Sequence, residues 1–294
     1  SPSSISSIDA SGEFVMIGNP FMGFIDWNAL VTDANTSGIN SIYQVYDPDQ
    51  GGYVQYDQSS GSGNAERYIA PAQGFWVQST GSSASLQFEK SMTEKASSSV
   101  TLKSTVPPVP AIELALDGTI QEKERRSSVF LQFKPDAAPG ADPTDATRLV
   151  PFGDAYVDLW SATPERQLVF DNRPELAANA AETYSIDVTA TETGTYTLTW
   201  PQLKNVPADW DLVLTDNVTG ETKNLRIETE HSFTIGSESV STASPSTASD
   251  VPVVQSPQAE SSPRFSLEVS AAPLPVELTR VDASTSGTSA LLEW

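Results

Sequence analysis

The sequence predicts an all-β fold of two consecutive antiparallel modules, each β-sandwich or jelly-roll-like, followed by a C-terminal strand pair. Short apolar or alternating runs recur along the 294 positions, and turn residues separate them about every 8–12 positions. The opening run is too short and too continuous for an amphipathic helix. The length suits two domains of roughly 100–200 residues each, and 6 Trp, 8 Tyr and 11 Phe can build folded cores.

The first module is assigned to residues 13–95, after a serine-rich lead-in at 1–12. Its opening strand, residues 13–21, ends at a Gly-Asn-Pro turn, and the run at 69–77 is the predicted partner strand. Two alternating runs flank the dense turn signal at 47–52, which predicts a β-hairpin with aromatic cross-strand pairs. The other strand-like runs of this module are 24–27, 42–46, 53–56 and 86–88.

Three segments of this module carry a resemblance to a known family. They are Ile-Gly-Asn-Pro at 17–20, Ile-Asp-Trp at 25–27 and Ile-Ala-Pro-Ala-Gln-Gly-Phe at 69–75. With a tyrosine-rich hairpin between them, they resemble a β module that occurs near the C-terminal end of large secreted proteins of the Bacteroidetes and their relatives. Many of these proteins use the type IX secretion route. The resemblance covers about the first 90 residues and implies an exported bacterial protein.

The second module is assigned to residues 96–270 and is predicted to be a β-sandwich. A charged turn at 121–126 joins its first two strands, and a second turn is expected at 216–220. Its strand-like runs are 109–116, 128–133, 157–160, 167–170, 184–188, 195–200 and 212–214.

This second module is similar to the sandwich that follows the first module in the same secreted proteins. The similarity lies in the order Gly-x-Tyr-x-Leu, Leu-x-Asp, Thr-Gly, Asn-Leu and Arg-Phe-x-Leu. Here these motifs stand at 194–198, 214–216, 219–220, 224–225 and 264–267.

Two segments depart from a simple two-module chain. Residues 236–263 form a Ser/Thr/Pro/Ala-rich insertion that resembles a flexible or glycosylated loop, with an edge strand at 251–254 as the alternative. Residues 271–294 resemble the start of a fibronectin type III-like domain. Two strands alone are marginally stable, so this segment is either part of a domain cut or processed here, or a donor strand for a neighbouring subunit.

Charge and composition restrict the partners. The 38 acidic and 16 basic residues give a net charge of −22, which repels nucleic acid and anionic lipid. Few lysines and many acidic, Ser and Thr residues also resemble proteins of extreme halophiles, in which salt screens self-repulsion. No run approaches the ~20 apolar residues of a membrane-spanning helix, so membrane insertion is not expected. The chain has no cysteine, which excludes disulfides, thiol nucleophiles and Cys-ligated zinc.

Catalytic signatures are weak. A Ser-His-Asp triad would require the only histidine, His231, whose Glu-His-Ser-Phe setting is typical of an ordinary strand entry. Paired carboxylates of a glycosidase cannot be distinguished among 38 acidic residues. Gly61-Ser62-Gly63 lacks the lysine and the helix of a phosphate-binding loop. The sequence therefore predicts no catalytic residues and no enzyme activity.

Two features allow a ligand. Asp47 and Asp49 have the spacing of calcium-loop ligands, but position 58 is glutamine and a hairpin turn explains the segment better. The stretch 136–145 is a weaker case of the same kind. Exposed aromatic rings could also stack on sugars, although packing within the core or across strands is the favoured interpretation. The aromatic candidates are Trp27, Tyr43, Tyr53, Tyr56 and Trp76.

The favoured functional hypothesis is a non-enzymatic structural or adhesion protein, extracellular or on a bacterial cell surface. Other surface proteins, or copies of the same chain joined by strand addition, are the expected partners. One alternative is a subunit of an extracellular filament assembled by strand exchange through residues 271–294. Another is a carbohydrate-binding module of a larger secreted enzyme, with polysaccharide as the ligand. No cofactor is expected, apart from calcium at the weak site.

Overall fold

The structure is a computed structural model that describes residues 3–8, 14–81, 83–94, 109–236, 262–271, 282–286 and 289–293. For the first segment and the last two, only the backbone is described. Strands make up 56% and helices 4%, which confirms the all-β prediction. Among the described strands, all pairs are antiparallel except one parallel pair in the second module.

The described part of the first module contains short strands, one α-helix and a 3₁₀ turn at Lys90–Met92. These elements are β1 (Ser3–Ile8), β2 (Phe14–Gly18), β3 (Phe24–Asp26), α1 (Trp27–Val31), β4 (Ile39–Asp47), β5 (Gly52–Asp57), β6 (Ser62–Gly63), β7 (Tyr68–Ile69), β8 (Gly74–Ser79), β9 (Ala84–Phe88) and β10 (Thr93–Glu94).

The main sheet of this module has the order β2-β8-β4-β5-β6. The opening strand pairs antiparallel with β8, with Met16 opposite Trp76, which confirms the predicted partner. The predicted hairpin is also confirmed, because β4 and β5 place Tyr43 opposite Tyr56 and Tyr46 opposite Tyr53.

The prediction of one continuous strand over 69–77 is wrong. The run is divided between β7 and β8 by a tight turn, in which the Gln73 amide donates to the Ala70 carbonyl and Ala72 has a positive φ of 58°. Pro71 within this turn cannot supply a ladder hydrogen bond, so the two halves pair with different strands.

The run at 24–27 also differs from the prediction, because its strand ends at Asp26 and α1 begins at Trp27. The Asp26 carboxylate accepts the Asn28 amide at 3.0 Å as an N-cap and binds Arg67 in a fork. The helix has five residues, too few for a helical period to be visible in the sequence.

The second module contains a further set of strands. They are β11 (Ala111–Ile120), β12 (Lys123–Phe133), β13 (Ala146–Thr147), β14 (Val157–Ala162), β15 (Gln167–Arg173), β16 (Ala181–Ala190), β17 (Gly194–Lys204), β18 (Trp210–Asp216), β19 (Thr222–Asn224), β20 (Glu230–Ile235) and β21 (Phe265–Ala271).

These strands form one strongly curved sheet in the order β19-β18-β21-β16-β14-β15-β12-β11-β17-β20, with β13 attached to β15. The core between its two halves takes apolar side chains from both ends of that order, including Leu214 and Phe233. Strands β12 and β15 are the parallel pair. The turn predicted at 121–126 is only Gln121-Glu122, both with positive φ, because Lys123 already belongs to β12.

Beyond the second module, β22 (Asp282–Ser286) and β23 (Ser289–Glu293) form an antiparallel hairpin, as predicted for the C-terminal strand pair. The strand-like run at 274–278 lies outside the described residues. So do residues 237–261, which hold almost all of the predicted insertion and its alternative edge strand at 251–254.

Candidate functional site

The two modules are in direct contact, and the residues that bind or pack across this contact are called the junction. Asp57, fully buried at the end of β5, accepts hydrogen bonds from Ser41, Ser59 and Ser60 of its own module. The Nζ of Lys134, from the second module, lies 3.2 Å from its Oδ2. Burial raises the pKa of Asp57, but Lys134 and the serine hydroxyls more than offset this, so its net pKa is below the ordinary value.

Two further basic side chains of the second module reach loops of the first. Lys204 Nζ donates to the Ser60 carbonyl and the Ser62 hydroxyl. Arg125 donates to the Pro48 and Asp49 carbonyls and packs against Gly51, where a Cβ would lie 2.7 Å from its Cδ. In a chain with only 16 basic residues, three of them cross this one junction. The scarcity of lysine and arginine is the one feature of the sequence that could have drawn attention to these residues.

A second set of junction contacts comes from side-chain amides of the first module. Asn40 Nδ2 donates to the Pro143 and Asp145 carbonyls, and Gln44 Nε2 donates to the Thr147 carbonyl at 2.9 Å. Gln78 makes a reciprocal pair of bonds with Thr147, donating to its hydroxyl and accepting its amide. These amides project from the face of the β8-β4-β5 sheet that the second module covers. Buried polar groups paired in this way fix one relative position of two surfaces.

An apolar cluster lies beneath these bonds. Ile42 of the first module packs with Phe130 and Phe170 of the second, whose rings stack with centroids 4.5 Å apart. Phe14 and Tyr53 pack with Leu149 in a second small cluster. The junction therefore combines an apolar centre with directional polar contacts.

At the edge of the junction lies an aromatic strip, which consists of Tyr46, Tyr53, Trp76 and Phe152. Phe152, from the second module, stacks on Tyr46 at 3.9 Å and is 55% exposed. Tyr46 and Tyr53 meet edge-on, while Trp76 and Tyr46 are half-buried beside Tyr53. Burial raises the pKa of Tyr53 to about 12, so its hydroxyl is protonated at neutral pH. Phe152 and the half-buried rings of Tyr46 and Trp76 therefore leave aromatic surface exposed beside the junction.

The predicted aromatic candidates fall into two groups. Tyr53 and Trp76 belong to the strip, whereas Trp27, Tyr43 and Tyr56 belong to the core on the other face of the sheet. Trp27 is completely buried, packs on Tyr43, and donates its indole N–H to the Ser41 carbonyl. Its ring face is therefore closed to a ligand. Sequence reasoning missed Phe152 because it lies in an irregular loop with no strand pattern.

The calcium candidates are engaged in turns. Asp47 accepts the amides of Asp49 and Gln50 and the Gln50 side-chain amide, which caps the hairpin turn. The Asp49 side chain is exposed. Within the described ranges, no three acidic or histidine side chains come together as a potential metal site.

In the weaker candidate stretch, Asp142 and Asp145 bind backbone amides. Asp142 accepts from Ala138 and Thr144, while Asp145 accepts the amides of Asp142 and Asn172 at 2.7 Å each. Asp145 is fully buried, and burial raises its pKa to about 7 despite these two bonds. This carboxyl group holds the loop against the junction and titrates near neutrality.

His231 lies in a buried ion cluster far from a triad geometry. Its Nε2 is 3.3 Å from Asp216 Oδ2, which also accepts Arg264 Nη2 at 2.7 Å. Its Nδ1 faces Glu221 at 3.9 Å. Within the described residues, neither ring nitrogen has a serine or threonine hydroxyl as a hydrogen-bond partner. The cluster joins strands, and its described members, His231, Asp216, Arg264 and Glu221, include no hydroxyl or thiol nucleophile.

No helix in the described part of the chain reaches the length and apolarity needed to span a bilayer. In the comparisons with known proteins, no family profile, no curated protein and no solved structure matches this chain.

Proposed function

We propose that this chain is a non-enzymatic structural or adhesion protein of the bacterial cell surface or extracellular space, in which two β modules act as one rigid unit. The observation that carries the proposal is the junction. Three basic side chains, three side-chain amides and an apolar centre fix the modules in one relative position. A rigid two-module unit transmits force and presents surfaces at a fixed distance, whereas a flexibly linked pair does not.

The use of ionisable groups also supports the proposal. The buried carboxylates of Asp57, Asp158 and Asp216 are each paired with a basic side chain and with hydrogen-bond donors. A buried charge destabilises the fold unless an opposite charge and hydrogen bonds compensate for its lost hydration. Here the compensating groups are side chains of the fold itself. The sequence resemblance to secreted proteins supports the extracellular location. The all-β fold by itself does not indicate a function, because such folds host many unrelated functions.

Two measurements test the proposal. Limited protease treatment of intact cells that make the protein should remove it, while a cytosolic marker stays intact. Deletion of its gene should reduce cell attachment or surface assembly, and restoring the gene should reverse the loss. Protection of the protein together with the cytosolic marker would contradict the extracellular location. A measurable hydrolase activity of the purified chain would contradict the non-enzymatic assignment.

A second candidate function, polysaccharide binding, is favoured by the aromatic strip. Rings with one free face stack on the apolar faces of sugars, and Phe152 and Trp76 retain accessible surface. A neutral glycan also carries no charge for the −22 surface to repel. Affinity electrophoresis in gels containing neutral polysaccharides tests this function. Retardation should be lost in Trp76→Ala and Phe152→Ala and kept in Ile227→Ala, which removes an exposed apolar side chain elsewhere. Equal mobility of all proteins, with and without polysaccharide, would remove this candidate.

A further inference from the structure

The edges of the sheets differ in how they are protected from pairing with other chains. Charged residues, prolines, bulges and very short length are the usual protections of an edge strand. Strands β6, β7 and β10 have two residues each, and β19 has three with a central lysine. Strand β20 carries Glu230 and His231. Strand β2, with the sequence Phe-Val-Met-Ile-Gly, has none of these protections.

The free side of β2 can be identified from its ladder. The backbone N–H of Asn19 donates to the backbone carbonyl of Gln73, so these two residues form a hydrogen-bonded antiparallel pair. Because such pairs alternate along a ladder, Ile17 and Val15 also bond to β8. The backbone groups of Phe14, Met16 and Gly18 therefore point away from β8. Among the described residues, none of these three has a backbone hydrogen-bond partner on that side.

The side chains beside this edge are open as well. Met16 is 62% exposed, and a Cβ built on Gly18 would have no neighbour within 4 Å. An apolar strand with free backbone groups and an exposed central side chain is a site for sheet extension.

We propose that β2 pairs antiparallel with β2 of a second copy of this chain, across a two-fold axis at Met16. The outward backbone groups are spaced symmetrically about Met16, so Phe14 of one copy would lie opposite Gly18 of the other. A large residue is then matched with a small one, and the two Met16 residues are opposite each other. Three hydrogen-bonded pairs exchanging two bonds each would give about six new backbone hydrogen bonds. Such a self-complementary contact is the usual way to form a closed dimer.

The charge of the chain adds a condition. Each copy carries −22, so association is opposed in dilute buffer. The Debye length falls from about 10 Å at 0.1 M salt to about 3 Å at 1 M, which removes most of the repulsion between exposed charges. The dimer is therefore expected in concentrated salt and is expected to dissociate as salt is removed.

Sedimentation velocity of the full chain at about 0.1 M and about 2 M salt tests the proposal. We expect monomer at low salt and twice the monomer mass at high salt. Met16→Lys should remain monomeric at both, with an unchanged circular dichroism spectrum. Met22→Lys should dimerise like the wild type, because Met22 is 96% exposed in the loop after β2 and off the edge. A wild-type chain that stays monomeric in high salt, or a Met16→Lys variant that still dimerises, would overturn the proposal.

A crosslinking experiment tests the same axis without depending on a charged substitution. Because the chain has no cysteine, Met16→Cys introduces a single thiol at the axis, and Met22→Cys is the matched control. A short bis-maleimide reagent in high salt should convert Met16→Cys, but not Met22→Cys, into a covalent dimer. Equal crosslinking of the two variants would count against the pairing. The result is independent of the proposed function. If the protein is monomeric, the dimer proposal fails, but the tests of location and adhesion are unaffected.

Discussion

The Nε2 atom of His231 lies 3.3 Å from Oδ2 of Asp216, and this contact joins strands from opposite ends of the second module's sheet. His231 is on β20, the last strand of the order, and Asp216 ends β18 near its start. Arg264, which precedes β21, binds the same carboxylate oxygen. Burial raises the pKa of Asp216, but the bonds from Arg264, the Val218 amide and His231 lower it overall. The curved sheet is thus closed by side chains, since no backbone ladder among the described strands connects its ends.

Because this contact joins the two ends of the sheet, we expect His231 to contribute to the stability of the fold. We expect His231→Ala to lower the free energy of unfolding by about 1–3 kcal/mol, because it removes a buried hydrogen bond and the ring stacked on Phe233. The neighbouring Glu230→Ala, at an exposed position of the same strand, should change it by less than about 0.5 kcal/mol. Urea unfolding followed by tryptophan fluorescence measures both. Equal stabilities of the two variants would show that the contact does not close the sheet.

The junction predicts a second stability effect. Lys134→Met leaves the fully buried Asp57 carboxylate without its only cationic partner among the described residues, so we expect a loss of about 3 kcal/mol. Lys123→Met, at an exposed position of the same strand, is the control and should be nearly neutral. Calorimetry should also show one unfolding transition for the wild type and a separation of the two modules in Lys134→Met. A single, unshifted transition in that variant would contradict the role given to Lys134.

The buried Asp145 predicts a pH dependence with a definite sign. Its folded-state pKa of about 7 lies above the ordinary aspartate value, so the folded protein retains a proton that the unfolded chain releases. The stability contributed by this group is therefore full below about pH 4 and is lost as the pH rises through about 7. Asp57 and Asp216, whose pKa values are lowered, act in the opposite direction.

Substitution isolates this contribution from the others. The stability of the wild type minus that of Asp145→Asn should decrease by on the order of 2–4 kcal/mol between pH 4 and pH 7.5. Asp136→Asn, at an exposed position in the same loop, is the matched control and should change the free energy of unfolding by less than about 0.5 kcal/mol. Denaturant titrations at several pH values provide these differences. A constant difference for Asp145→Asn would show that the carboxyl group ionises normally in the fold.

The sequence was sufficient for the local architecture. Alternation at Tyr43 to Tyr46 and Tyr53 to Tyr56, with a glycine-rich turn between, predicted the hairpin and its aromatic cross-strand pairs because side chains in strands alternate with a period of two. The apolar runs at 13–21 and 69–77 were also predicted to be partner strands, and β2 does pair with β8. The prediction of one continuous strand over 69–77 failed, because a positive φ at Ala72 produces a turn without glycine. Short elements such as α1 leave no periodic signal.

The junction could not be predicted, since its hydrogen bonds connect residues at least 69 positions apart. Lys134, Lys204 and Arg125 reach loops of the first module through tertiary placement alone, and no sequence period encodes that placement. Phe152 joins the aromatic strip for the same reason. Composition reveals that basic residues are scarce, but only the folded structure shows where they are used.

The Gly-Asn-Pro segment after β2 supports the final prediction. Asn19 is buried, and its Nδ2 donates to the carbonyls of Gly23, Ile69 and Ala70 at 2.9–3.1 Å, while its Oδ1 accepts the Phe21 amide. One side chain thus holds the end of β2 against the turn between β7 and β8. We expect Asn19→Ala to destabilise the protein by about 2 kcal/mol, because buried carbonyls lose their donor. Asn19→Asp should cost more, because it places a carboxylate against three carbonyl oxygens. Asn35→Ala, in an exposed turn, should have little effect. If urea unfolding ranks Asn19→Asp as no worse than Asn35→Ala, the segment is only a strand end and Asn19 is not its organising contact.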